Sequence, residues 1–322
     1  MRRPIVFKPI YQERVWGGRT LAERFGRELP SAEVPYGESW EVSDREEAAS
    51  EVLLPVELAG RTLGGLWGDA ATRGEIFGED YAGMSGRFPL LLKILDARDR
   101  LSLQVHPPAA VAGELSGEPK TEMWYIAAAE EGAELYVGLK AGVSREDFER
   151  GIAEGATEEQ VHRIPASAGQ FIFIPSGRLH AIGAGLLIYE IQENSDTTYR
   201  VFDWNRVGLD GRPRELHVEA SLRCIDFDDV EPGMGAREGE VLVSCGEFVV
   251  EEWALGAGER RGVVRDGRFG MVTVVEGVVI CGGVEFGLGD FLLVPAGMGE
   301  GDGVVEAREG GAQVLWTGLP VG

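Results

Sequence analysis

The chain has 322 residues, 44% of them hydrophobic, with 54 acidic side chains against 31 basic ones and a formal net charge of −23. That length suits one large or two ordinary domains, and that apolar content can bury a core, so a disordered chain is excluded. The charge speaks against nucleic acid and anionic membranes as partners, because the long-range field repels extended polyanions. Forty-seven glycines punctuate short apolar runs, the pattern of many short strands. In chain order, short helices are expected at Thr20–Arg24 and Leu63–Trp67, then strands at Leu90–Leu95, Leu101–Val105 and Met123–Ala127. A helix is expected near 144–153, where Ser144 is an N-cap with acids in the first turn. Thr157-Glu-Glu-Gln-Val-His repeats that signature, with Gln160 as a capping-box partner, and puts His162 on a helix. Strands follow at Gln170–Pro175 and Leu186–Ile191, and a helix at His217–Leu222. The remaining strands are Val241–Val243, Phe248–Trp253, Met271–Val275, Phe291–Pro295 and Val314–Thr317. The class is mainly β with a few short helices.

One internal repeat stands out. Gly169-Gln-Phe-Ile-Phe-Ile-Pro-Ser-Gly matches Gly289-Asp-Phe-Leu-Leu-Val-Pro-Ala-Gly, 120 residues later. Two β modules of related design are expected, residues 1–230 and 231–322, joined by the acidic, glycine-rich stretch Asp226–Gly239. The second module holds 15 acids, 6 bases and no histidine, and Glu300 stands where the first copy has His180. Its expected role is structural, covering one side of the first module. Three scattered cysteines (Cys224, Cys245, Cys281) without a C-x-x-C pair argue against disulfides and Cys-zinc sites and fit a reducing cytoplasm. Neither a signal peptide nor a run of about 18 apolar residues is read, so secretion and membrane spans are not expected.

The chemistry concentrates in the first module. On a strand, Ser102, Gln104 and His106 share one face. Three polar groups on one face of an apolar strand need partners, since unpaired burial costs each about 1–3 kcal/mol. Glu122 heads the next strand and His180 follows the Pro-x-Gly turn of a third. Two imidazoles and two oxygen donors suit zinc, with manganese, iron or cobalt as other fits. His162 and His217 are expected to be structural residues. Lysine occurs only at 8, 93, 120 and 140, so Lys120, two residues before Glu122, reads as a group with a tunable pKa. Arg206, Arg212 and Arg214 read as a solvated turn, and Trp124, Tyr125, Tyr199 and Trp204 as core or pocket wall.

These motifs carry a resemblance. Gly169-x5-Pro175-x-Gly177-x2-His180 is the second cupin motif without its trailing Asn. The first cupin motif is altered to Gln104-Val-His106 with a distant Glu122. The chain is similar to the type I mannose-6-phosphate isomerases in their short bacterial form. The resemblance covers most of residues 4–225. It rests on Trp16-Gly-Gly, Gly37-Glu-Ser-Trp-Glu-Val-Ser, Phe88–Ala97, Ser102–Pro107, Pro119-Lys-Thr-Glu-Met-Trp-Tyr, the His180 turn and Glu190–Trp204. It implies a cupin-type jelly-roll β-sandwich or barrel with a second, degenerate cupin-like module. It also implies a zinc-dependent aldose–ketose isomerase acting on mannose 6-phosphate and fructose 6-phosphate. The family's metal ligands fall on Gln104, His106, Glu122 and His180. Its active-site lysine falls on Lys120, its aspartate on Asp196, its essential arginine on Arg200 and an active-site serine on Ser102.

The reaction asks for these residue types. Moving a proton between C1 and C2 through a cis-enediol needs stabilisation of the developing oxyanion and a base that returns the same proton. Lys120, Asp196 and a metal-bound water are the candidate bases, and Arg200 suits phosphate binding or enediolate stabilisation. A small sugar phosphate meets these groups at short range. Acids beyond about one Debye length, roughly 8 Å at physiological salt, are screened. The competing functions are a cupin oxygenase using iron, against which Gln104 speaks, and a non-catalytic sugar- or metal-binding cupin, which leaves Lys120, Asp196 and Arg200 surplus. Both monomer and homodimer are compatible with the sequence.

Overall fold

The computed structural model describes residues 3–320, so the chain-terminal residues of the two expected modules lie outside it. The chain packs into two compact units. One comprises Met1–Ile10, Trp40–Leu91 and Ala236–Gly322, the other Tyr11–Ser39 and Leu92–Gly235. One crossing between the units lies at Gly235/Ala236. Residues 40–91, however, group with the C-terminal strands, so the division is not collinear with the sequence.

The second of these units is a sandwich of two sheets. A five-stranded sheet runs in the order Val161–Pro165, Glu134–Leu139, His180–Ile182, Leu103–Val105, Tyr199–Phe202. A six-stranded sheet runs Phe171–Ile174, Glu122–Ala129, Leu186–Glu193, Leu90–Ala97, Tyr36–Val42, Ile10–Gly18. Leu135, Val137 and Ile182 from the first interleave with Leu95, Trp124, Ile126, Ile172, Ile174 and Ile188 from the second to form the core between them. Alternation sends Leu103, Val105, Tyr136 and Ala181 to the other face, where they pack with Phe148 and Cys224 from the helices Arg145–Glu154 and Val218–Cys224. Both faces of the central strands of this sheet are therefore largely apolar, and the inward polar positions Gln104 and His180 fall where the site lies.

The first expected cap is present. Ser144 accepts from the Asp147 backbone N–H, and the Asp147 carboxylate accepts from Ser144 N, a complete capping box. The second is not. Thr157–Gln160 is one 3₁₀ turn, and Gln160 spends its side chain on the Asp147 carbonyl, Nε2 to O 2.7 Å. His162 therefore sits on the strand Val161–Pro165, not on a helix.

Trp16-Gly17-Gly18 owes its small residues to strand packing. A Cβ on Gly17 would lie 2.3 Å from Gly37 N and 2.4 Å from Tyr36 C, both backbone atoms that cannot yield. Gly17→Ala is expected to cost about 1–3 kcal/mol as an overpacking change. A urea denaturation midpoint equal to the wild type's would refute the close approach.

The other unit is built on the strands Val249–Leu255, Gly270–Cys281 and Val304–Gly318 of a seven-stranded sheet. Its core includes Trp253, Val272, Val274, Val314 and Trp316. The repeat is structural here: Phe291–Val294 is a strand as Phe171–Ile174 is, and Gly169 and Gly289 have φ of +81° and +83°. Glu300 lies exposed in the short helix Gly299–Asp302. Residues 40–91 join this unit through Trp67, Phe77 and Phe88, which meet Phe269 or one another edge-on or tilted. Among the described residues no helix is long and apolar enough to cross a membrane, and the three cysteines are free.

Candidate metal centre and active site

Strand register assembles the polar group. His180 pairs with Gln104 on one side of the strand Leu103–Val105, and Arg200 pairs with Gln104 on the other. The two-residue period carries Ser102 to the Gln104 face, where its Oγ donates to Gln104 Oε1 at 3.2 Å. Glu122 comes from the opposite sheet, at the first position of its strand. His106, Glu122 and His180, all buried, bring their ligand atoms within 4.8 Å of one another. The Gln104 amide nitrogen is 3.3 Å from His180 Nε2, and turning the amide over would present its oxygen there, with Ser102 Oγ then accepting from the nitrogen. The four residues picked out in the sequence thus converge.

The tautomers favour ligation. His106 Nδ1 donates to the Thr197 carbonyl at 2.8 Å and His180 Nδ1 to the Arg178 carbonyl at 2.9 Å. Each ring therefore turns the Nε2 lone pair inward. Burial lowers both imidazole pKa values, that of His180 to about 3 with a further contribution from His106, so both rings are neutral. Burial opposes the Glu122 carboxylate, but Lys120 and the imidazoles outweigh it and hold its pKa well below the ordinary value. Glu122 Oε1 has no hydrogen-bond partner and lies 3.6 Å from His180 Nε2. Oε2 has the Lys120 ammonium at 2.8 Å as an ion pair. A buried carboxylate with an orphaned oxygen, facing two inward lone pairs, is a donor set that suits a cation, and Lys120 already places positive charge against it.

Beside this group opens a cavity of about 530 Å³. Ser102, Gln104, Lys120, Asp196 and Arg200 all line it. Burial disfavours the Lys120 ammonium, but Glu122, Glu190 and Asp196 more than compensate and raise its pKa. His217, expected to be structural, accepts from Arg200 N at 3.3 Å and precedes the helix Val218–Cys224.

The cavity also recruits residues that the sequence did not single out: Arg14, Glu38, Lys93, Glu190 and Arg214. They form alternating charges. Arg14 Nε donates to Glu38 at 2.6 Å, and Lys93 Nζ lies 3.7 Å from Glu38 and 3.1 Å from Glu190. Glu190 also accepts from Trp124 Nε1 at 3.0 Å. Two signals could have found them. Lys93 is one of only four lysines, and Glu38, Lys93 and Glu190 all lie in the motifs that carry the resemblance. Arg214 belongs to the segment read as a solvated turn, yet it is half-buried against the cavity.

A two-sheet β-sandwich that carries a buried His/Glu/His cation site on its inward-facing strands is a cupin-type metal-binding protein. Comparison with known proteins narrows this. The family model "Phosphomannose isomerase type I, catalytic domain" matches residues 5–139. The mannose-6-phosphate isomerase of Streptococcus mutans is 36% identical over 304 residues, covering 92% of this chain and 93% of that protein. Its Bacillus subtilis counterpart is 36% identical over 314 residues, covering 92% and 94%. A crystal structure of the Bacillus subtilis mannose 6-phosphate isomerase superposes with a TM-score of 0.84 at 32% identity, over 98% of this chain and 100% of that one. A mannose 6-phosphate isomerase bound with zinc and yttrium, at 16% identity and a TM-score of 0.73 over 99% and 100%, shares the fold. The chain belongs to the type I phosphomannose isomerase family.

Proposed function

We propose that the chain interconverts mannose 6-phosphate and fructose 6-phosphate, with zinc held by Gln104, His106, Glu122 and His180, in the cytoplasm. The observation that carries this reading is the adjacency of the buried cation site to a cavity lined by Ser102, Lys120, Asp196 and Arg200. Two neutral imidazoles, a carboxylate and an amide oxygen are a borderline donor set, which favours zinc over the harder cations. A bound zinc ion supplies Lewis-acid stabilisation of the negative charge that develops on the substrate oxygens.

The chain's own residues do the rest. Lys120, held as an ammonium, offers protons to a sugar oxygen at the boundary between cavity and cation site. Asp196, at the exposed side of the cavity, is the carboxylate available to take the carbon-bound proton and return it. Arg200 presents a delocalised cation beside Gln104, at the reacting end of the site. Ser102 orients the Gln104 amide. The alternating pairs Arg14–Glu38 and Lys93–Glu190 fix the polar wall against which the sugar hydroxyls lie. The C-terminal module, without histidine, serves as structure.

The test follows formation of fructose 6-phosphate from mannose 6-phosphate, with and without a chelator. Turnover is expected in zinc-replete protein, with loss on chelation and recovery on adding zinc. Zinc-replete protein that makes no fructose 6-phosphate would sink the isomerase. Recovery with another divalent metal but not with zinc would remove zinc alone.

A further inference from the structure

The stretch from Gln192 to Tyr199 joins strands of the two sheets of the sandwich, and residues 195–198 have no regular structure of their own. It carries Asp196 into the cavity. A loop of this kind places a side chain only as well as its backbone is held. Here the backbone is held from within. Buried Gln192 donates from Nε2 to the carbonyls of Glu193 at 2.6 Å and Ser195 at 2.7 Å, which ties the loop to the strand before it. Ser195 Oγ then accepts from Thr197 N at 3.2 Å.

The loop in turn grips the segment that bears Lys120. Thr197 Oγ1 accepts from Glu118 N at 3.0 Å, and Ser195 Oγ donates to the Glu118 carbonyl at 3.2 Å. Three residues on, Thr121 N donates to Glu193 Oε2 at 2.6 Å, and the Thr121 carbonyl accepts from Glu193 N at 3.0 Å. Lys120 lies between these two clamps. The approach is close: a Cβ on Gly117 would lie 2.9 Å from Thr197 Cγ2 and 2.7 Å from Tyr199 Oη. Thr197 is set apart by its other end. Its carbonyl accepts from His106 Nδ1 at 2.8 Å, the kind of bond that fixes the tautomer and the plane of a ligand imidazole. One β-branched residue, stiff about χ1, thus holds the Lys120 segment by its hydroxyl and the His106 ring by its carbonyl. Lys120 Nζ and His106 Nε2 lie 3.2 Å apart, so a slip of about 0.5 Å between the two segments would alter the site.

We propose that Thr197 is a positioning residue for the isomerisation, which sets the Lys120 ammonium and the His106 ligand nitrogen in a fixed relation to each other. The inference rests on the isomerase reading for its effect on turnover, while its effect on the His106 ring is read from zinc affinity alone.

Zinc affinity of the full-length chain is measured by competition with a chromogenic chelator, and mannose 6-phosphate kinetics are followed in the zinc-saturated proteins. Thr197→Val keeps the shape and the carbonyl but removes the Oγ1 acceptor. It should weaken zinc binding and lower kcat by about 10- to 100-fold each, the usual cost of losing a group that orients a metal ligand. The loss should fall on kcat rather than KM. Thr197→Ser, which restores the hydroxyl, should return both quantities to near the wild-type values. Val314→Ala, in the core of the other unit, should lower the urea midpoint and leave zinc affinity and kcat unchanged. Wild-type zinc affinity and kcat in Thr197→Val would overturn the proposal. So would a Thr197→Ser protein as impaired as Thr197→Val, which would mean that packing around Gly117 matters and the hydroxyl bond does not. An equal loss in Val314→Ala would overturn it too, as a general effect of lowered stability. If Thr197→Val does not fold by circular dichroism, Ser195→Ala replaces it, since it opens the other half of the same clamp: a loss of the same kind is expected, and unchanged zinc affinity and kcat would overturn the proposal equally. Zinc binding by the wild type without turnover of mannose 6-phosphate would defeat the isomerase reading, and the zinc affinities of the variants would still decide the positioning role.

Discussion

His180→Ala should lose stoichiometric zinc and about a thousandfold or more of kcat/KM while its far-UV circular dichroism stays that of the wild type. The magnitude follows from what the side chain offers. Removing one preorganised stabiliser of developing charge commonly costs 10²–10³-fold, and here the loss extends to the cation that the whole donor set would hold. The fold should persist because the core does not depend on this ring. Leu135, Val137, Ile172, Ile174 and Ile182 pack between the sheets without it, and the strand His180–Ile182 keeps its backbone pairing to Glu134–Leu139. The ring's one backbone bond, to the Arg178 carbonyl, is worth about 0.5–1.5 kcal/mol. His162→Ala supplies the control. That residue lies on an edge strand of the same sheet and is partly exposed, so zinc content and rate should be unchanged. Zinc bound one-to-one by the His180→Ala protein, measured by mass spectrometry, would remove His180 from the ligand set.

What could be read from the sequence divides along a physical line. Features set by local chemistry are legible. The Ser102/Gln104/His106 face follows from a two-residue period, the Ser144 cap from a side chain that reaches its own helix, and the 169/289 repeat from turn residues with the same positive φ. Features set by non-local pairing are not. Nothing near His180 in the chain states that it will face Gln104, 76 residues away; the family pattern supplied that, and the register accounts for it. Thr157–His162 shows the opposite failure. Its capping signature is sound, but Gln160 is taken by the Asp147 carbonyl and Val161–Pro165 is captured by Glu134–Leu139. The wall residues Glu38, Lys93 and Glu190 escaped because they lie on three different strands, far apart in the chain, and none has an opposite charge beside it in sequence. Only the fold shows that the three charges meet one another. Arg214 escaped for a simpler reason, since its composition is that of a surface turn.

The buried charges of that wall lead to the second large effect. Lys93→Met should destabilise the protein by about 3–5 kcal/mol near neutral pH, the usual consequence of removing one partner of a buried ion pair. Lys93 and Glu190 are each no more than 5% exposed and lie 3.1 Å apart. Burial and the nearby Glu122 already raise the Glu190 pKa, against Lys93 and Lys120. Deleting Lys93 removes the first of these opposing cations and raises it further. A carboxyl whose pKa is higher folded than unfolded binds more protons when folded. Stability therefore falls as pH rises from the unfolded value through the folded one. The deficit of Lys93→Met relative to wild type should consequently be largest near pH 8 and shrink toward pH 5, as Glu190 takes up a proton. The double variant Lys93→Met/Glu190→Gln, which leaves no unpaired charge, should recover much of the loss, since a buried pair replaced on both sides is often neutral. Thermal or urea unfolding of the four proteins of this cycle at pH 5 and pH 8 decides the matter. A deficit independent of pH, or a double variant as unstable as the single one, would mean that Lys93 contributes through its packed methylenes, and the charge alternation along the cavity wall would then need another explanation.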